Sequence, residues 1–162
     1  MVRHGKSAWP LGVPDERRPL GPRGIGDAPR MGARIRDLVG RVDVAVVSPA
    51  QRTQQTWALL AEQIGPVAQV RTDRRVYDDW GAELMEVVRA LPAGAGVALI
   101  LGHEPGVSRL VLALADRRAS ELRTRVVTKF PTCAVAVLQA DDDWADFRPG
   151  CATLSAFTTP RQ

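Results

Sequence analysis

The stretch Val97-Ala98-Leu99-Ile100-Leu101-Gly102-His103-Glu104-Pro105-Gly106, followed by Val107 to Ala115, decides how this sequence is read. A short apolar run bounded by glycine reads as a buried strand. The Gly- and Pro-bearing segment reads as a loop, and the apolar segment after it as a helix. The same grammar recurs upstream. Val42–Val47 is an apolar, β-branched run. Ser48-Pro49 then opens a helix to about Ile64, with Ser48 as N-cap and Gly65-Pro66 as terminator. Residues 25–39 carry Ile25, Ala28, Gly32, Ile35, Leu38 and Val39 at helical spacing, stopped by Gly40. Val67–Arg71 is a weaker strand, Asp73–Trp80 a polar loop and Ala82–Leu91 an amphipathic helix. Toward the end, Val126–Val127, Ala134–Gln139, Asp146–Arg148 and Ala152–Phe157 read as short strands. Alternating strands and helices predict an α/β three-layer sandwich, with a mostly parallel central sheet and helices on both faces. The closing strands predict antiparallel edge pairing. No linker or repeat divides residues 1–162, so one domain is expected, with no cap domain.

Composition narrows the function classes. The chain of 162 residues is 45% hydrophobic and 25% charged, the mix of an ordinary globular domain. Its apolar runs, such as Val97–Leu101 and Leu110–Ala115, are far shorter than the ~20 residues of a membrane span. The N-terminus has no apolar stretch that could act as a signal peptide. A cytoplasmic, membrane-free and monomeric protein is expected. Of 22 basic residues only Lys6 and Lys129 are lysine. Arginine suits phosphate, but acids are interspersed and aromatics are only 5%, which disfavours nucleic acid as a partner. Two cysteines, Cys133 and Cys151, and two histidines do not supply the ligand spacing of a metal site, so no metal and no cofactor are expected.

In sheets of this kind, ligands bind at the carboxyl ends of the strands. Three loops leave from those ends: Arg3–Trp9, Ser48–Thr53 and Gly102–Gly106. Both histidines, His4 and His103, fall in them. Taken singly, Arg3-His4-Gly5 reads as a surface turn, Arg52 as a solvated side chain and His103 as a structural histidine. Together they sit just past successive strand ends.

With those residues, the sequence resembles the histidine phosphatase superfamily, of phosphoglycerate-mutase-like fold, over nearly its whole length. Arg3-His4-Gly5-Lys6-Ser7 is similar to the nucleophile loop. Ser48-Pro49 through Arg52-Thr53, with Gln55-Thr56, is similar to the second-arginine helix, and Gly102-His103 to the second-histidine loop. Arg18-Pro19-Leu20, Arg23-Gly24 and Lys129-Phe130-Pro131-Thr132 further resemble the small, capless SixA-type phosphohistidine phosphatases. The resemblance implies His4 as nucleophile, with Arg3, Arg52 and His103 as catalytic and phosphate-binding groups. Ser7 is a further phosphate ligand or a loop cap. A general acid is implied in the loop after the third strand. Asp78 is preferred there, with Asp79 and Glu104 as rivals and Glu83 read as a helix-dipole partner.

The chemistry suits these residue types. A phosphoryl group in transfer carries charge on its equatorial oxygens, which forked arginine donors can hold. A neutral imidazole can attack phosphorus, and cationic neighbours favour the neutral form. The expected activity is a metal-independent phosphatase acting on phosphohistidine protein or a small phosphorylated molecule. A phosphomutase and a non-catalytic phospho-ligand binder are the alternatives. One feature departs from the family. Only Met1 and Val2 precede Arg3, so either the start is missing or the central first strand is short.

Overall fold

The computed structural model describes residues 1–78 and 82–161, with the side chains of Asp78 and Ala82 outside the description. Six strands form one mixed sheet in the order β3-β2-β4-β1-β5-β6. They are β1 Val2–Arg3, β2 Val44–Val47, β3 Gln69–Thr72, β4 Ala98–Gly102, β5 Val135–Gln139 and β6 Thr153–Thr158. The first four are mutually parallel, and β5 and β6 add antiparallel on the β1 side. The expected mostly parallel sheet with antiparallel edge pairing is what forms.

Strand alternation sends side chains to two faces. Ala45 and Val47 of β2 join a core with Ala28, Met31 and Ile35 of α1 (Pro22–Val39) and with Leu60 and Ile64 of α2 (Gln51–Ile64). Val44 and Val46 face the other way. They join Leu84 and Val88 of α4 (Ala82–Arg89) and Leu110 and Leu114 of α5 (Gly106–Leu114). Helices therefore cover both faces, and β2 and β4 read as continuous apolar runs because both of their faces are buried.

Three expectations are corrected. Val126–Val127 lie in a helix, α6 (Glu121–Thr128), because Ser120 caps it by accepting from the Arg123 N–H at 3.1 Å. Asp146–Arg148 is no strand, since residues 144–146 form a 3-10 turn. The polar segment after β3 contains a helical turn, α3 (Arg75–Asp78), seeded by Asp73, whose carboxylate accepts from the Arg75 N–H at 3.0 Å.

The central strand β1 is two residues long. Val2 pairs with Leu101 and Val135, and Arg3 with Gly102. Beyond it, β4 and β5 continue without a strand between them. A cavity of about 800 Å³ opens there, lined by Met1, Leu99, Ile100, Val137 and Leu138 among others. The Met1 ammonium bonds the Ala136 carbonyl at 2.9 Å, and burial lowers its pKa from 8.0 to about 5.

Candidate active site

Strands β2, β4 and β1 are parallel neighbours, so their carboxyl ends are aligned. The loops that leave them converge on one spot. The Ser48 N–H bonds the Leu101 carbonyl at 3.1 Å, and the His4 N–H bonds Gly102 at 3.0 Å. These ladder ends bring together His4, Arg52 and His103. The two imidazole rings lie 5.0 Å apart, and Arg52 Nη2 is 3.2 Å from His103 Nδ1.

Each ring is held in one tautomer. His4 Nδ1 is 2.6 Å from the Gly5 carbonyl, which can only accept. Nδ1 therefore carries the hydrogen, and Nε2 presents a lone pair. His103 Nδ1 faces a guanidinium, which can only donate. Nδ1 therefore accepts, and Nε2–H donates to Ser48 Oγ at 2.7 Å. Burial pushes His4 from 6.5 down to about 3. Its bond to Gly5 opposes this, while the charges of Arg52, Arg3 and Arg18 add to it. Burial likewise lowers His103 to about 3, helped by His4 and Arg52 and opposed by Asp15. Both rings are neutral at physiological pH.

The remaining pieces hold these groups in place. Arg3 Nη1 donates to the Phe130 carbonyl at 2.6 Å, which gives the Lys129-Phe130-Pro131-Thr132 segment its structural role. Arg3 Nε is buried and has no partner among the described residues. Thr56 Oγ1 accepts from the Gly5 N–H at 3.0 Å and donates to the Arg52 carbonyl at 2.6 Å, tying the nucleophile loop to α2. Ser48 does not cap α2 as expected; Ala50 takes that position. The Ser48 hydroxyl faces His103 instead, and Thr53 Oγ1 and Gln54 Nε2 take up its carbonyl.

Ser7 is buried, and its Oγ accepts from Arg18 Nη2 at 2.6 Å. Asp78 ends α3, close in sequence to Tyr77, whose ring meets His103 edge-on at 5.3 Å. The Asp78 side chain and all of Asp79 lie outside the described residues. Glu104 is engaged at the start of α5. Its Oε1 accepts from the Ser108 N–H at 3.2 Å and its Oε2 from the Ser108 hydroxyl at 2.6 Å, capping α5. Glu83 sits exposed in the first turn of α4, where its charge suits the helix dipole.

Sequence reading missed two residues. Residues 8–19 form a loop closed at its neck by the Ser7–Leu20 bridge, and a 3-10 turn at Asp15–Arg17 folds back over Arg52. Arg52 donates to the Asp15 carbonyl at 2.6 Å and to its Oδ2 at 2.9 Å. Arg18 Nη1 donates to Asp15 Oδ1 at 2.7 Å, and the Tyr77 hydroxyl to Oδ2 at 2.9 Å. Partial burial raises the Asp15 pKa, but the bonds from Arg18, Tyr77 and Arg52 outweigh it and bring it to about 2. Arg18 itself is buried, with its guanidinium 3.1 Å over the exposed Trp9 ring. The Arg18-Pro19-Leu20 signature was a pointer to Arg18. Nothing in the Pro- and Gly-rich loop sequence marked Asp15.

The sequence profile of the Histidine phosphatase superfamily (branch 1) matches residues 1–92, more than half of the chain. An uncharacterized protein of Mycobacterium tuberculosis is 37% identical over 162 residues, covering 99% of this chain and 100% of that one. A solved structure described as the putative phosphohistidine phosphatase SixA of Nakamurella multipartita superposes with a TM-score of 0.88. It is 30% identical and covers 99% of this chain and 94% of its own. A SixA protein histidine phosphatase complexed with tungstate shares the fold at a TM-score of 0.75 and 21% identity, over 99% and 95% of the two chains. This chain therefore belongs to the histidine phosphatase superfamily, and its fold is the phosphoglycerate-mutase-like fold of the SixA phosphohistidine phosphatases. Among the described residues, no helix is long and apolar enough to cross a membrane.

Proposed function

We propose that this phosphatase works without a metal, through a phosphohistidine formed on His4. Its substrate is phosphohistidine in protein, or else a small phosphorylated molecule. The observation that carries this reading is the 2.6 Å contact between His4 Nδ1 and the Gly5 carbonyl. It fixes the hydrogen on Nδ1 and leaves the Nε2 lone pair free beside three cationic groups.

In the first step, His4 Nε2 attacks phosphorus. The new P–N bond forms as the bond to the leaving group breaks, and that electron pair goes to the leaving atom. Arg3, Arg52 and Ser7 donate to the phosphoryl oxygens, and their fixed positions suit charge that develops in the transition state. His103 has to change role. Its Nδ1 accepts from Arg52 in the unliganded site. A phosphoryl dianion beside the ring raises its proton affinity, so substrate binding is coupled to proton uptake at Nδ1, which then donates. In the second step, water attacks the phosphorus, the P–N bond to His4 breaks, and the electron pair returns to Nε2. The absence of a cap leaves the site open to water, which favours hydrolysis over a mutase.

The test is turnover of p-nitrophenyl phosphate in a buffer containing EDTA. The wild type is expected to hydrolyse it there and to accumulate an acid-labile phosphoenzyme. His4→Ala is expected to lose at least ~10³-fold in rate. A His4→Ala enzyme that keeps most of the rate, or a wild type that needs added Mg²⁺ or Zn²⁺, overturns the reading.

A further inference from the structure

The loop carboxylate of Asp15 has no place in the two steps above, yet it lies against Arg52. His4 is only 8% exposed, whereas the Asp15 side chain is 52% exposed. In-line phosphoryl transfer puts the leaving group on the side of phosphorus opposite the nucleophile. With His4 the buried group, the leaving group points outward, the side on which the Asp15 carboxylate is exposed beside Arg52. A carboxylate offers about four acceptor positions. Arg18 takes one on Oδ1, and Arg52 and Tyr77 take two on Oδ2, so one on Oδ1 stays open to solvent. The same three donors lock its position.

Resting on the phosphatase reading, we propose that Asp15 is a specificity-determining residue, which accepts a hydrogen bond from the protonated nitrogen ring of an N-phosphorylated substrate. It discriminates against O-linked phosphoryl groups, whose leaving oxygen has no such hydrogen. The step balances. An N-phosphoimidazolium carries a hydrogen on its second nitrogen, and that N–H donates to Asp15 Oδ1. As His4 Nε2 bonds to phosphorus, the P–N bond of the substrate breaks and its electron pair returns to the ring. The imidazole leaves neutral, keeping its N–H. The Asp15 anion favours the cationic form of the ring, which is the form that leaves without further proton transfer. The same charge repels the phosphoryl anion of either substrate, but an aryl phosphate has no cation on its leaving group to offset that repulsion.

The substrates are phosphoimidazole and p-nitrophenyl phosphate, and kcat/KM is measured for wild type, Asp15→Asn and Asp15→Glu. Asp15→Asn is expected to lose about tenfold on phosphoimidazole and to gain severalfold on p-nitrophenyl phosphate, because a few ångströms separate the charges at stake. Asp15→Glu, which keeps the charge, is expected to restore most of the preference. Thermal unfolding of each variant separates these effects from loss of fold. Equal losses on both substrates would show that Asp15 only braces Arg52. Equal gains would show that it is only a plug. Either result overturns the proposal while leaving the phosphatase reading intact. A wild type inactive on both removes that reading, and this proposal with it.

Discussion

At the scale of single residues, the site combines buried neutral imidazoles with forked cations and nearby carboxylates. The sequence offers Asp78, Asp79 and Glu104 as proton donors, and the structure adds Asp15 beside Arg52. Glu104 is engaged by Ser108, and Asp15 is held as an anion by Arg18, Tyr77 and Arg52. Asp78 remains the proposed acid for oxygen leaving groups. An alkoxide leaving phosphorus needs a proton in the transition state, and general acid catalysis there is worth about 10²–10⁴-fold. A phosphoimidazole ring carries its own proton. Asp78→Asn is therefore expected to slow alkyl phosphate hydrolysis by that factor and phosphohistidine hydrolysis far less. The measurement is kcat/KM on both substrates, beside Asp79→Asn. Equal losses would mean that Asp78 positions the site, and a loss confined to Asp79→Asn would move the role there. His4, Arg3, Arg52 and His103 were named by the family resemblance, and each lies at a strand end or in the first turn of the next helix. Asp15 was not, because its place depends on how a long loop is pinned by the Ser7–Leu20 bridge and by Arg18.

At the scale of elements, close approach decides the packing around the nucleophile loop. A Cβ on Gly24 of α1 would collide with the Lys6 carbonyl, and one on Gly32 would lie 2.6 Å from the Leu60 carbonyl of α2. The Arg23-Gly24 signature thus reflects a helix pressed against the loop that carries His4. On the other side of His4, β1 leaves a gap. Its two residues are flanked by strands of five residues each, and the buried Met1 ammonium faces the cavity between them. Lowering that pKa from 8.0 to about 5 costs about 1.4 kcal/mol at pH 7. Three or four apolar, β-branched residues added ahead of Met1 would pair with β4 and β5 and remove the buried amine. They are expected to raise Tm by about 5 °C or more. An unchanged midpoint in calorimetry would mean that the sheet gains nothing from a longer central strand. Helix and strand assignments failed where β-branched residues misled, as at Val126–Val127, since a capping serine outweighs the weak preference of a valine pair.

At the scale of the whole molecule, the buried titratable groups make stability depend on pH. His4 and His103 have pKa values of about 3 when folded, against 6.5 when unfolded. Between those values the unfolded chain binds more protons, so stability rises with pH there and falls on acidification. Each fully shifted histidine contributes up to about 2 kcal/mol of this loss between pH 7 and pH 5. The Met1 ammonium acts in the same direction between pH 8 and about 5. Urea midpoints at pH 8, 7, 6 and 5 are expected to fall steadily. His4→Gln, which cannot titrate, is expected to flatten the slope. A midpoint constant from pH 8 to 5 would contradict the burial of these groups.

The sequence by itself determined the class of fold and, through the family resemblance, proposed the central groups. Strand-end loops are local: an apolar run ends, a Gly-bearing loop begins, and the residue there must face the carboxyl edge of a parallel sheet. What only the tertiary structure decided was how those edges line up and what leans over them. The tautomers of His4 and His103 come from the Gly5 carbonyl, Arg52 and Ser48, partners that sit on different strands and helices. The placement of Asp15 over Arg52 bridges 37 positions of sequence. Such contacts depend on the summed geometry of sheet, helix and loop, which no local pattern of residues carries.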